Sequence, residues 1–92
     1  RLGVTVTEIT PDVARQLGVS STDGALVTEV VPGSPADEGG VRPGDVIREL
    51  NRNPVKTAGE LGSAARNLKR GSSVMLKIER QGRTRFVAFE LS

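Results

Sequence analysis

Acidic, hydroxyl and amine groups are the reactive side chains this 92-residue chain offers, because cysteine and histidine are both absent. Their absence removes thiolate nucleophiles, imidazole bases, disulfides and the zinc sites built on them. Ser-Lys and carboxylate catalysis are the chemistries left, yet no nucleophile elbow, phosphate-binding glycine loop or paired-carboxylate context occurs. No metal and no cofactor is expected. Attention passes to the backbone of the opening run, RLGVTVTEI. Leu2, Val4 and Val6 fall on one face of an extended segment and Thr5 and Thr7 on the other, with Gly3 interrupting near the start. A glycine packs nothing in a strand and loses more backbone entropy than alanine. It marks a bulge, a turn, or the close approach of another backbone or a ligand.

The elements that must position such a feature belong to a small fold. Hydrophobic residues are 36% and charged residues 26%, which suits one globular domain over residues 1–92. No apolar run approaches the roughly 20 residues of a membrane-spanning helix, so no membrane insertion is expected. No leader of charged then apolar residues is present either, which places any signal peptide outside this stretch. Tryptophan and tyrosine are absent, leaving Phe86 and Phe89 as the aromatics. There is no stacking platform for single-stranded nucleic acid, and any binding surface is aliphatic. Residues 1–45 hold three basic and seven acidic side chains, and residues 46–92 hold ten and four. The bland reading of that asymmetry is a solvated surface in which the halves balance. Charge is the sole support for nucleic-acid binding, which is not expected.

Thr10, Pro11 and Asp12 predict a short helix that Gly18 ends. GALVTEVVP reads as a buried strand over 25–31, and Ser34, Pro35 and the two glycines of GSPADEGG as a helix of one or two turns. Pro43 and Gly44 suit a type II turn before a strand starting near Asp45, in which Val46, Arg48 and Leu50 alternate with Ile47 and Glu49. Thr57 and Glu60 have capping-box spacing, and Lys69, Arg70 and Gly71 close a helix over 58–69 whose apolar stripe is Ala58, Leu61, Ala65 and Leu68. A hairpin follows, with Val74, Leu76 and Ile78 alternating, a turn at Gln81 and Gly82, and a return strand led by Phe86 and Val87. Asp45 and Asn51 read as turn and capping residues, and Arg80, Arg83 and Arg85 as edge-strand charges that discourage aggregation. The pattern predicts an α+β, mostly β fold: a small, partly open antiparallel barrel or sandwich of five to six strands, with one main helix and two short ones.

GALVTEVVPGSPADEGGVRPGDVIRELNRNPV resembles the central signature of bacterial PDZ domains, with their permuted strand order. The closing RQGRTRFVAFEL is similar to the last hairpin of the second, C-terminal PDZ domain of HtrA/Deg-type serine proteases, and RLGVTVTEI to the opening of HtrA PDZ domains. Together these cover nearly the whole chain. The resemblance implies a non-catalytic module whose loop, Arg1, Leu2, Gly3 and Val4, receives a peptide's C-terminal carboxylate. A turn at a residue without a Cβ lets successive amides converge on an anion. The strand from Val4 to Glu8, with Thr5, Val6 and Thr7, would accept the peptide as an added strand. By alignment with the family, Gly62, Ala65 and Arg66 line the groove while Leu61 and Leu68 face the core. Small side chains at 62 and 65 would then admit a bulky terminal residue.

The implied partners are C-terminal peptides or unfolded segments, the chain's own protease domain upstream of Arg1, and a neighbouring PDZ domain in a homo-oligomeric parent. The implied compartment is a bacterial periplasm or cell envelope. Assembly of protease oligomers through PDZ-PDZ contacts is the alternative role. A different envelope protease or a secretion component is the alternative parent, because the central signature is shared among them.

Overall fold

The computed structural model describes residues 2–91 of the chain. In chain order the elements are β1 (Val4–Thr7), α1 (Pro11–Leu17), β2 (Ala25–Val30), α2 (Pro35–Gly39), β3 (Val46–Leu50), β4 (Asn53–Pro54), α3 (Ala58–Arg66), β5 (Ser73–Arg80) and β6 (Arg83–Glu90). The sheet runs β1-β2-β3-β5-β6 with β4 attached to β3, every pairing antiparallel. The sheet does not close, so β1 and β6 are its free edges. The mostly β architecture with one main and two short helices is the one expected from sequence.

Each helix begins where its cap demands. Thr10, Ser34 and Thr57 are extended, and their hydroxyls accept from the N–H groups of Val13, Asp37 and Glu60, satisfying donors that the first turn leaves without a partner. Gly44 has φ +96 and Asp45 N–H donates to Arg42 O at 3.1 Å, the geometry of the expected type II turn.

Two bulges organise the core. The register between β3 and β5 slips between Ile47 and Glu49, leaving Arg48 as the extra residue. That slip inverts the parity of β3: Val46 packs with Ile9 and Ala14 beneath α1, whereas Ile47 and Leu50 both enter the main core with Val27, Leu61, Leu76 and Ile78. The expected alternation of Val46, Arg48 and Leu50 on one face therefore fails. Arg48 instead donates to Glu79 Oε1 at 3.1 Å through Nε and 2.5 Å through Nη2. The second bulge places Thr28 as an extra residue of β2 opposite β1, with its hydroxyl on Thr5 O at 3.1 Å.

Three further expectations are corrected. Helix α3 ends at Arg66, not residue 69: Asn67 and Leu68 N–H donate to Ala64 O and Ala65 O, tightening the last turn and dipping Leu68 onto the core. Lys69 and Arg70 thus lie beyond the helix, and Gly71 bonds Leu91 O. Strand β4 was not expected. It exists because Asn51 (φ +50) and Arg52 (φ +71) make a tight hairpin pinned to β5 by Asn51 Oδ1, which accepts from Met75 N–H at 2.8 Å. Arg80 is not an edge charge. It grips Asp45, 1% exposed, at 2.8 Å and 2.9 Å and donates to Gly40 O. Asp45 also accepts Arg42 N–H, in keeping with its expected turn role.

Glu79, 7% exposed, accepts from the Arg48 guanidinium and from the Ser20 amide and hydroxyl. Burial pushes its carboxyl up, but the bonds from Arg48 and Ser20 and the Arg48 charge outweigh burial and hold it below its ordinary 4.5. The group therefore contributes stability that is full above the unfolded carboxylate range and lost as pH falls through the lower folded value. Glu79→Gln is expected to cost about 1–3 kcal/mol at pH 7. Urea unfolding at pH 7 and pH 3 should show the gap between variant and parent shrinking in acid.

Candidate peptide-binding site

The chain of contacts that shapes the site starts at β6. Gly39, in α2, lies so close to Phe89 that a methyl group there would come within 2.5 Å of the ring. The missing side chain lets α2 seat against the last strand. At its other end α2 presents Ser34 to the opening loop, where Gly3 has φ +89 and a methyl group would lie 2.2 Å from Ser34 Cβ. Both the dihedral and the space require glycine. Two backbone bonds complete the attachment, Ala36 N–H to Leu2 O at 3.0 Å and Val31 N–H to Gly3 O at 2.8 Å. With those carbonyls taken, the Gly3 N–H has no acceptor among the described residues.

Beyond the loop, β1 pairs with β2 alone, so its outer edge is open along Val4–Thr7. Val4 and Val6 are half-buried and Thr5 and Thr7 exposed, the alternation expected for this run. Helix α3 stands across from that edge. Its start is held by three acceptors: Thr57 Oγ1 on Glu60 N–H (3.0 Å), Glu60 Oε1 on Lys56 N–H (2.8 Å) and Glu8 Oε2 on Ala58 N–H (3.0 Å). The Glu60 half of the expected capping box is displaced by one residue, reaching Lys56 where the box has Thr57.

Between β1 and α3 lies a cleft of about 310 Å³, lined by Leu2, Gly3, Val4, Val6, Val31, Leu61, Gly62, Ala65 and Arg66. Leu2, Gly3, Val4 and Val6 are thereby brought together with Gly62, Ala65 and Arg66. Leu61 serves twice: it is 2% exposed in the core and also lines the cleft. Arg1 lies outside the described residues. Thr5 and Thr7 belong to the open strand but not to the cleft lining. The strand stops at Thr7, one residue short of the expected Glu8, whose carboxylate ties the end of one wall to the start of the other. Sequence reasoning missed that tie, since its partners are fifty residues apart, and missed Val31, 55% exposed at the rim. The position of Val31 just before Pro32, where a strand must stop, was the available signal.

Among the described residues no group of three or more acidic side chains could hold a metal ion, and no helix is long and apolar enough to cross a membrane. The arrangement suits an extended ligand with an anionic end.

Residues 1–91 match the sequence family described as the PDZ domain. The chain belongs to the PDZ domain family. Its curated relatives include two proteins named probable periplasmic serine endoprotease DegP-like. The one from Rhizobium meliloti is 38% identical over 90 residues and the one from Ectopseudomonas mendocina 39% over 92. They match 98% and 100% of this chain, which spans only 18% and 19% of their length. Among solved structures, the HtrA3 PDZ domain bound to a phage-derived ligand (FGRWV) superposes with a TM-score of 0.81 at 27% identity, covering 98% of this chain and 82% of that one. The HtrA-type protease AlgW with a decapeptide gives a TM-score of 0.88 at 29% identity, covering 98% and 28%.

In this PDZ domain the loop geometry depends on Gly3 by two separable routes. Gly3→Ala is expected to cost about 2–4 kcal/mol, combining an unfavourable positive φ with overpacking against Ser34. Adding Ser34→Gly removes the steric share, so the double variant should recover about 1–2 kcal/mol of the loss in denaturant midpoints. Ser34→Gly alone measures the lost cap bond to Asp37 N–H, and additive effects of the two substitutions would show that the contact with Ser34 carries no energy.

Proposed function

We propose that this PDZ domain is the non-catalytic peptide-capture module of an HtrA-type serine protease, acting in the bacterial periplasm. It takes free C-termini or exposed apolar segments as an added strand on β1, with the carboxylate at the Leu2-Gly3-Val4 loop. The carrying observation is the placement of the apolar cleft: it lies between the open edge of β1 and helix α3, and Leu2 and Gly3 of the loop line it. The peptide-bearing solved neighbours and the names of the curated relatives support the same reading.

Strand addition supplies main-chain bonds along Val4–Thr7, and alternate side chains of the peptide face the cleft. Leu2, Val4 and Leu61 offer an aliphatic lining, and the small side chains at Gly62 and Ala65 leave room for a bulky terminal residue. Catalysis belongs to a separate domain of the parent in this reading.

Calorimetric titration with a peptide ending in phenylalanine and with its C-terminal amide tests the capture step. Amidation removes charge-assisted bonds worth about 1.5–3 kcal/mol each, so affinity should fall at least about tenfold. Absence of binding by any peptide would turn the reading to the assembly role. Gly62→Met fills the cleft, and it should weaken peptides ending in phenylalanine about five- to tenfold while leaving those ending in alanine within about twofold. Equal losses for both would remove the size selection.

A further inference from the structure

The far edge of the sheet is longer and barer than the edge beside the cleft. Strand β6 has eight residues, six of them exposed, and pairs with β5 alone among the described residues. Phe86, in its middle, is 61% exposed. Arg80 and Arg83 close the turn at Gln81 and Gly82, and the closing pair of such a two-residue hairpin exchanges hydrogen bonds. Odd-numbered residues of β6 therefore aim their backbone groups at β5, a parity that continues in Leu91 N–H on Ser72 O at 3.0 Å. The N–H and C=O groups of Thr84, Phe86, Ala88 and Glu90 point outward, where no described strand receives them.

Such an edge is a template for another strand, and natural sheets guard it with charge. Here the guard is lopsided. Arg83 and Arg85 stand on one face at the start of β6, exposed and without a carboxylate partner among the described residues. Phe86 and Ala88 share the other face with Glu90, the one acid in the strand, at its far end. Two adjacent cations on one face disfavour a basic strand and favour an acidic one, while the bare phenylalanine favours an apolar neighbour.

We propose that the β6 edge docks an acidic extended segment of a partner chain by antiparallel strand addition. Residues directly opposite in a sheet share a face, so the pattern demanded of the partner is read off β6: carboxylates opposite Arg83 and Arg85, aliphatic side chains opposite Phe86 and Ala88, and a cation opposite Glu90. From its N-terminus the segment runs cation, polar, aliphatic, polar, aliphatic, acid, polar, acid. Main-chain bonds at Thr84, Phe86, Ala88 and Glu90 supply affinity, and the charges fix direction and register. Because β1 and β6 are opposite ends of the strand order, this edge and the cleft can be filled together.

The probe is the peptide Lys-Thr-Val-Thr-Val-Glu-Thr-Glu, acetylated and amidated so that it offers no terminal carboxylate to the cleft, titrated into the isotope-labelled chain. Amide NMR shifts should concentrate on Thr84, Phe86, Ala88 and Glu90 and spare Val4–Thr7. Replacing both peptide glutamates by lysine, or making Arg83→Glu with Arg85→Glu in the chain, should weaken binding at least about fivefold, with the gap narrowing in high salt. Phe86→Thr should weaken it about two- to fivefold. Melts of these variants should stay near that of the unsubstituted chain, since the side chains are exposed. N-methylation separates strand addition from loose attraction. Methyl groups on the two valine nitrogens, which face β6, should cost at least about fivefold, whereas methyl groups on the residues that follow each valine face solvent and should cost less than about twofold. Equal tolerance of the two methylation patterns, shifts centred on β1, or no binding of the acidic peptide overturns the proposal. Self-association of the free chain with shifts along β6 would do so too, giving the edge to a second copy.

Discussion

The contact between Gly3 and Ser34 is the constraint from which the binding side of the molecule is laid out. A backbone at φ +89 with no room for a methyl group can be built only from glycine, and it fixes the course of the loop against Ser34. The partner in that contact is itself a helix cap, so one hydroxyl residue both starts α2 and sets the surface against which the loop turns. Because α2 is seated on Phe89 through Gly39, the position of the loop is referred to the far edge of the sheet. The first and last strands are thereby coupled although they do not pair.

Opposite the loop, the groove is held by weaker but equally specific means. Helix α3 has nine residues, too few to be stable alone in water. Its persistence rests on Leu61 in the core and on the acceptors gathered at its start, of which Glu8 comes from the facing wall. A carboxylate beside the first helical N–H groups also meets the positive end of the helix dipole. Both walls of the cleft are in this way fastened to each other at the end away from the loop, and the space between them is left to small side chains.

Two ion pairs serve the scaffold. Arg48 with Glu79 and Arg80 with Asp45 join segments 31 and 35 residues apart, and each buried carboxylate has further donors, Ser20 for one and Arg42 N–H for the other. No buried side-chain polar atom among the described residues lacks a partner, the condition under which a buried charge is tolerable. The charge imbalance between the two halves of the sequence is thus partly spent inside the fold: Asp45 of the acidic half pairs with Arg80 of the basic half.

Much of this was legible in the chain. Thr10, Ser34 and Thr57 start helices because a hydroxyl at an extended residue meets amides three positions on. Pro43-Gly44 makes its turn, and Gly82 helps close the last hairpin, because their preferred dihedrals are local properties. The alternation of the opening run was legible too, with Val4 and Val6 on one face and Thr5 and Thr7 on the other. The early end of α3, the bulges at Thr28 and Arg48, the left-handed turn at Asn51 and Arg52, the grip of Arg80 on Asp45 and the reach of Glu8 to Ala58 were decided by tertiary structure. Several of these join groups 23 to 50 residues apart, and a pattern of spacing carries no record of which distant donor will be brought to which acceptor. Periodicity assigns a side chain to a face; only the folded chain settles what stands on the other side.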